Sequence, residues 1–214
     1  MAMATTDCDL SKASSGAAKL ADLVGAFVQN KETQGYPDEF QTFSMDCLGH
    51  KISFSDTSNT QYQCYGDAAM ELIQHPNFYI NFLQQHADKK KRRVGLNYME
   101  SNILKGLMDP ATWTELAVFS LYSEAISKPY AITVCGSCNK SKNALDLGLA
   151  HSQIIVHIDT LINNPCLLTG DHASHKTGAL YGICWDQTII HHIHSILHQL
   201  PHLQQALIAF LQSA

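Results

Sequence analysis

Apolar residues recur at helical spacing along nearly the whole 214-residue chain, and this periodicity limits the fold more than any other feature. Each amphipathic helix must bury one stripe against a neighbour, so the pattern calls for helices packed on helices. Leu10, Ala13, Ala17, Leu20, Leu23, Val24, Phe27 and Val28 share one arc when each residue is rotated by about 100°. The arc stops at Gly35-Tyr36-Pro37, a turn signal. Residues 38–60 show no strong period, and Ile52-Ser53-Phe54 reads as a short strand or an extended loop. A second helix is expected over about 61–74. Pro76 opens a third, where its missing N–H is harmless, with Phe78, Tyr79, Phe82 and His86 facing inward. That helix runs into Lys89–Arg93, and Gly95 suits its C-cap.

Leu96, Met99, Ile103 and Leu107 form the stripe of the next helix. Asp109-Pro110 is the sharpest boundary in the chain, a good N-cap before a good first residue. The helix that follows, about 110–127, is apolar on all sides and is expected to be central and buried, with Glu124 a candidate for an interhelical hydrogen bond. Residues 128–145 read as a polar loop and 165–183 as a long one. Between them Leu147, His151, Ile154, Ile155, Ile158, Leu161 and Ile162 share a face, which makes His151 a core histidine. Two final helices, about 185–199 and 201–213, complete the pattern. The fold expected is all-α: seven or eight helices around the 110–127 helix, forming a single domain over 1–214 with residues 1–9 disordered. The last helix stops without a polar tail, which suggests a chain truncated from a longer protein and an exposed Leu203, Leu207 and Leu211.

Composition narrows the functional classes. A chain of this length buries roughly 70% of its unfolded surface and needs no metal or disulfide staple. Charged residues make up only 15%, and the formal charge is −5, which disfavours nucleic-acid binding by bulk electrostatics. No stretch approaches the roughly 20 apolar residues of a membrane span, and the N-terminus lacks the marks of a secretory signal. Seven cysteines, an odd number without such a signal, read as reduced thiols, so a cytoplasmic or nuclear location is expected.

Several segments carry a family resemblance. Gly95-Leu-Asn-Tyr-Met-Glu100, Thr114-Glu-Leu-Ala117, Ser123-Glu-Ala-Ile-Ser-Lys-Pro-Tyr130, Ala144-Leu-Asp-Leu-Gly148, Asn163-Asn-Pro-Cys-Leu-Leu168, Thr177-Gly-Ala-Leu180 and Leu200-Pro-His-Leu203 are quoted as they stand here. Over roughly residues 36–214 the chain resembles a family of helical proteins, without an assigned activity, from genomes of mushroom-forming fungi. The resemblance implies a helical fold, a further aromatic-rich helix beyond residue 214, and no activity. Cys135-Gly-Ser-Cys138 departs from the family pattern.

Four motifs are candidates for chemistry. Two thiolates spaced as Cys135 and Cys138 can chelate zinc or form a redox pair. Zinc needs two more ligands, and His194 with His198, or His172 with His175, are the available pairs. The usual second half of a zinc motif is missing, so a chance pair is the plain structural alternative, and no cofactor is expected beyond this zinc. His191, His194 and His198 fall together on the side of their helix opposite the Ile189, Ile193 and Leu197 arc, which makes a solvated histidine face the alternative to a metal clasp. Gly170–Thr177 imitates a phosphate-binding loop, but His175 stands where the second glycine is needed. Lys89, Lys90, Lys91, Arg92 and Arg93 hold five of the fourteen basic residues. Such a run serves nuclear import or phosphate-backbone contact, or simply complements a helix C-terminus.

Hydrolase and dinucleotide-binding motifs are missing from the sequence, and no carboxylate pair stands out. The expectation is a non-enzymatic helical interaction module whose partner is another protein, a second copy or a C-terminal remainder of a longer chain. The alternatives are a nuclear nucleic-acid-associated protein using residues 89–93, and a metal- or redox-responsive protein acting through Cys135 and Cys138.

Overall fold

A computed structural model describes residues 15–29, 36–57, 63–89, 96–135 and 147–213, apart from the side chains of Lys89 and Leu149. Among these residues the chain is helix and connecting segments, with no strand. No helix among them is long and apolar enough to cross a membrane. More helical segments form than the seven or eight expected, because stretches read as irregular fold into helices.

The chain divides into two compact units, Met1–Leu116 and Ala117–Ala214. In the first, α1 (Gly16–Gln29) buries Ala17, Leu20, Ala21, Val24, Phe27 and Val28, the face expected from its period. Its first turn is capped from a distance, since Ala17 donates its N–H to Glu115 Oε2 at 2.8 Å. α2 (Pro37–Leu48) lies where no helix was expected. Only Phe40 and Ser44 of α2 are fully buried, too few for a visible stripe. Its ends specify it instead: Pro37 in the first turn, Asp38 and Glu39 against the positive helix end, and Gly49 in the left-handed conformation at φ 75° closing it. The segment after it is extended chain and not a strand, with Ile52 and Phe54 buried. Ser44 accepts the Ile52 N–H at 3.0 Å and Gln41 donates to the Ile52 carbonyl at 2.8 Å, so side chains of α2 satisfy this backbone.

α3 (Cys64–Gln74) and α4 (Pro76–Lys89) follow, then α5 (Tyr98–Met108) and α6 (Pro110–Tyr122). α5 opens on a reciprocal capping box between Asn97 and Glu100. At α6 the Asp109 carboxylate accepts the N–H and hydroxyl of Thr112 at 3.0 and 2.7 Å, the cap that the sequence announces. The boundary between the units falls within α6.

In the second unit the helix does not end near residue 127. Ser123–Ser127 form a π-helical turn, and α7 (Lys128–Cys135) continues through residues expected to be loop. Pro129 accounts for the irregularity: it has no N–H to give to the preceding turn, and its ring crowds that turn's carbonyl. Widening the turn immediately before the proline relieves that crowding. Glu124 is 3% exposed and makes the expected hydrogen bond, accepting the Asp186 N–H at 2.7 Å while Lys128 Nζ donates to its other oxygen at 2.6 Å.

α8 (Gly148–Asn163) is where apolar pattern and burial disagree most. Leu161 is fully buried, but Ile155 and Val156 are 62% and 65% exposed. His151 is exposed and not a core residue; its ring meets the Tyr130 hydroxyl at 2.9 Å. The expected long loop over 165–183 contains two short helices, α9 (Cys166–Thr169) and α10 (His175–Gly178), and a tight turn at Leu180–Gly182. They bury Leu168, Ala179 and Leu180 beside Trp185. α11 (Gln187–Ile196) and α12 (Leu203–Ser213) finish the unit. Leu203, Leu207 and Leu211 were expected to be exposed and are instead buried at 2%, 0% and 2%. α12 packs against α8, and the Phe210 ring meets Phe119 tilted and Tyr122 edge-on, so the last helix finds its cover within its own unit.

Candidate functional site

α2 carries Phe40 and Phe43 three residues apart, and α4 carries Phe78 and Tyr79 four and three residues before Phe82. Phe40 meets Phe78, Tyr79 and Phe82 with ring centroids 5.4–5.8 Å apart. Phe43 meets Phe78 and Phe82 at 5.2 and 5.4 Å. Edge-to-face and tilted pairs of this kind add about 0.5–1.5 kcal/mol each to the burial itself. They fix the two helices against one another and leave a groove of about 320 Å3 along their seam. Phe43 and Phe82 form its apolar part, Thr42 and Gln85 its flanks, and Asp38, Glu39 and Asp46 its acidic rim. Glu39, Thr42, Phe43 and Asp46 stand at i, i+3, i+4 and i+7 of α2, one continuous face of the helix. The volume is at the small end of the roughly 300–1,000 Å3 of small-molecule clefts and suits one or two inserted side chains.

Beneath the rim lies a buried polar cluster. His86, 6% exposed, has Nδ1 3.1 Å from Glu39 Oε2 and Nε2 3.5 Å from Glu100 Oε1. The first contact is a hydrogen bond; the second is too long for a good one but within ion-pair reach. Glu100 is fully buried, and its Oε2 accepts the Asn97 N–H at 2.8 Å within the capping box of α5. The imidazole is also held by rings: Tyr36 at 4.0 Å, Phe82 stacked at 6.2 Å and Phe27 edge-on at 6.4 Å. A histidine this enclosed positions its neighbours and does not present a nitrogen to a substrate. Its partner Glu39, 42% exposed, carries that ordering out to the groove.

A second cleft, about 270 Å3, is bounded by Asp22, Gly25, Gln29, Asp56 and Tyr65. The Tyr65 hydroxyl donates to Asp22 Oδ1 at 3.1 Å. Burial, together with the Asp22 charge and hydrogen bond, raises the tyrosine pKa.

The motifs singled out in the sequence are not gathered into one place. Cys135 is exposed at the end of α7, and Cys138 lies outside the described residues. His194 is half-buried, its Nε2 donating to the Leu168 carbonyl at 2.9 Å, which leaves only Nδ1 for any ligand role. His198 is exposed on a tight turn after α11 ends at Ile196, so the two histidines do not share a continuous α-helix. Among the described residues no group of three or more His, Cys, Asp or Glu is placed to hold a metal ion. Lys90, Lys91, Arg92 and Arg93 lie outside the described residues, as does the side chain of Lys89.

Sequence reasoning places His86 on an inward face but misses Glu39, Phe43 and Asp46, because α2 has no apolar stripe to reveal it. Pro37, the acidic pair after it and Gly49 twelve residues on were the available signal. No protein-family model matches the chain, and no curated protein or solved structure is significantly similar to it.

Proposed function

We propose that this chain is a non-enzymatic helical module that binds a protein partner through the groove between α2 and α4. The observation that carries the reading is the groove itself: an apolar seam, rimmed by polar side chains, between two helices locked by aromatic contacts. That layout has the apolar centre and polar rim of a recognition surface, and a rigid groove binds without a large ordering cost. The burial of His86 supports the non-enzymatic part, since the best-placed titratable side chain is closed to a substrate. The burial of Leu116, Ala117, Leu121, Ala125 and Ile126 supports a central structural role for the 110–127 segment. A soluble protein of the cytoplasm or nucleus, related to the fungal helical family, is part of the same proposal.

Hydrogen exchange on the chain, alone and in complex with a co-purified partner, tests it. Slowed exchange over 37–48 and 76–89 is expected. A footprint confined to α8, where Ile155 and Val156 are exposed, would move the site, and a chain that forms no complex would end the reading.

A further inference from the structure

The geometry points to a cationic helical segment of a partner protein as the occupant of the α2–α4 groove. This rests on the interaction reading and adds the partner's chemistry. Asp38, Glu39 and Asp46 line the groove, and no Lys or Arg is among its described lining residues. Lys and Arg have apolar stems and charged heads. A stem laid across Phe43, the more exposed of the two lining rings, therefore brings its head to the carboxylates.

Other occupants fit less well. An acidic segment or a phosphate backbone meets three like charges. A neutral apolar segment desolvates the exposed Asp38 and Asp46 carboxylates without offering them a counter-charge, which is costly.

Spacing favours a helix. Glu39 and Asp46 are seven residues apart on α2, two turns or about 10 Å along the axis. Basic residues at i and i+7 of a partner helix have the same separation, and an apolar residue at i+4 faces the seam between them. Glu39 is already fixed by its 3.1 Å contact to His86, so part of the ordering cost is met before the partner arrives.

The test is a fluorescence-anisotropy titration of the full chain with a labelled helical peptide carrying Lys at i and i+7 and Leu at i+4. A second peptide has Gln in place of both lysines. The lysine peptide is expected to bind, to weaken as salt rises and to outcompete the glutamine peptide. The double variant Asp38→Asn/Asp46→Asn alters exposed side chains only and is expected to bind about tenfold more weakly, roughly threefold per carboxylate. Equal affinity of that variant, or no binding of the lysine peptide, overturns the cationic partner. If the glutamine peptide binds as tightly and Phe43→Ala abolishes both, the groove remains a docking surface and only its charge preference is wrong. If neither peptide binds while a natural complex still protects α2 and α4, the partner chemistry is overturned and the interaction module stands.

Discussion

At the scale of single residues, two ionisable groups tie stability to pH in ways that separate cleanly. Asp109 caps α6. Burial raises its pKa, but the hydrogen bonds from the Thr112 hydroxyl and the Thr112 and Ala111 amides outweigh that and hold it below the ordinary value. A depressed carboxylate contributes stability above the unfolded pKa, near 3.9, and loses it as pH falls through the folded one. Asp109→Ala should cost about 1 kcal/mol at neutral pH, read as a lower urea midpoint, and the cost should vanish in strong acid. His157 is held below the ordinary histidine value because burial outweighs the hydrogen bond its Nε2 makes to the Gly178 carbonyl at 3.1 Å. The unfolded chain then binds that proton more readily than the folded one. Stability is full above roughly pH 6.5 and declines as pH falls through the lowered value. His157→Gln should flatten the stability profile below neutrality; an unchanged slope would show that the site does not titrate as described.

At the scale of elements, legibility in the sequence followed how each helix is specified. Where an apolar stripe is clear the buried face is legible, as in α1 and α5, and where a cap is also clear, as at Asp109-Pro110, the start of the helix is legible too. Where only the caps speak, as in α2, the helix was invisible to periodicity, and the acidic rim of the groove went with it. His86 was legible because α4 has a stripe; its partners Glu39 and Glu100 come from other helices, and pairings between distant segments leave no local trace. The opposite error arose in α8, whose apolar period is wider than the face its neighbours cover, so that Ile155, Val156 and His151 are left in solvent. The polar residues after 127 misled in a third way. Expected as loop, they continue as helix because Pro129 is absorbed by the π turn before it, and the same turn holds Glu124 against the Asp186 amide that begins α11. Glu124→Ala removes that acceptor, leaves the part-buried Asp186 N–H without it and deletes the 2.6 Å contact to Lys128. A loss of about 2–3 kcal/mol is expected in denaturant unfolding, whereas Lys128→Met, whose partner keeps the Asp186 amide, should cost less.

For the whole molecule, the low charge density has a solution consequence. The chain carries 14 basic and 19 acidic side chains and 12 histidines, so its net charge is −5 with every histidine neutral and +7, that is −5 + 12, with every histidine protonated. The sequence isoelectric point is about 6.1, so the net charge changes sign near that pH. With only 15% of residues charged, little else repels one copy from another as that point is crossed. Solubility should pass through a minimum near pH 6 and recover on both sides, measured by precipitation across a pH series at low salt. His191, His198 and His202 are exposed, and replacing all three with Gln removes three protonatable groups without opening a core. The minimum should then shift to lower pH, because fewer groups are available to offset the carboxylates. A minimum that stays in place would show that these three side chains do not set it. Binding of a cationic partner should weaken as pH falls toward the isoelectric point, since the negative net charge that draws it in fades there.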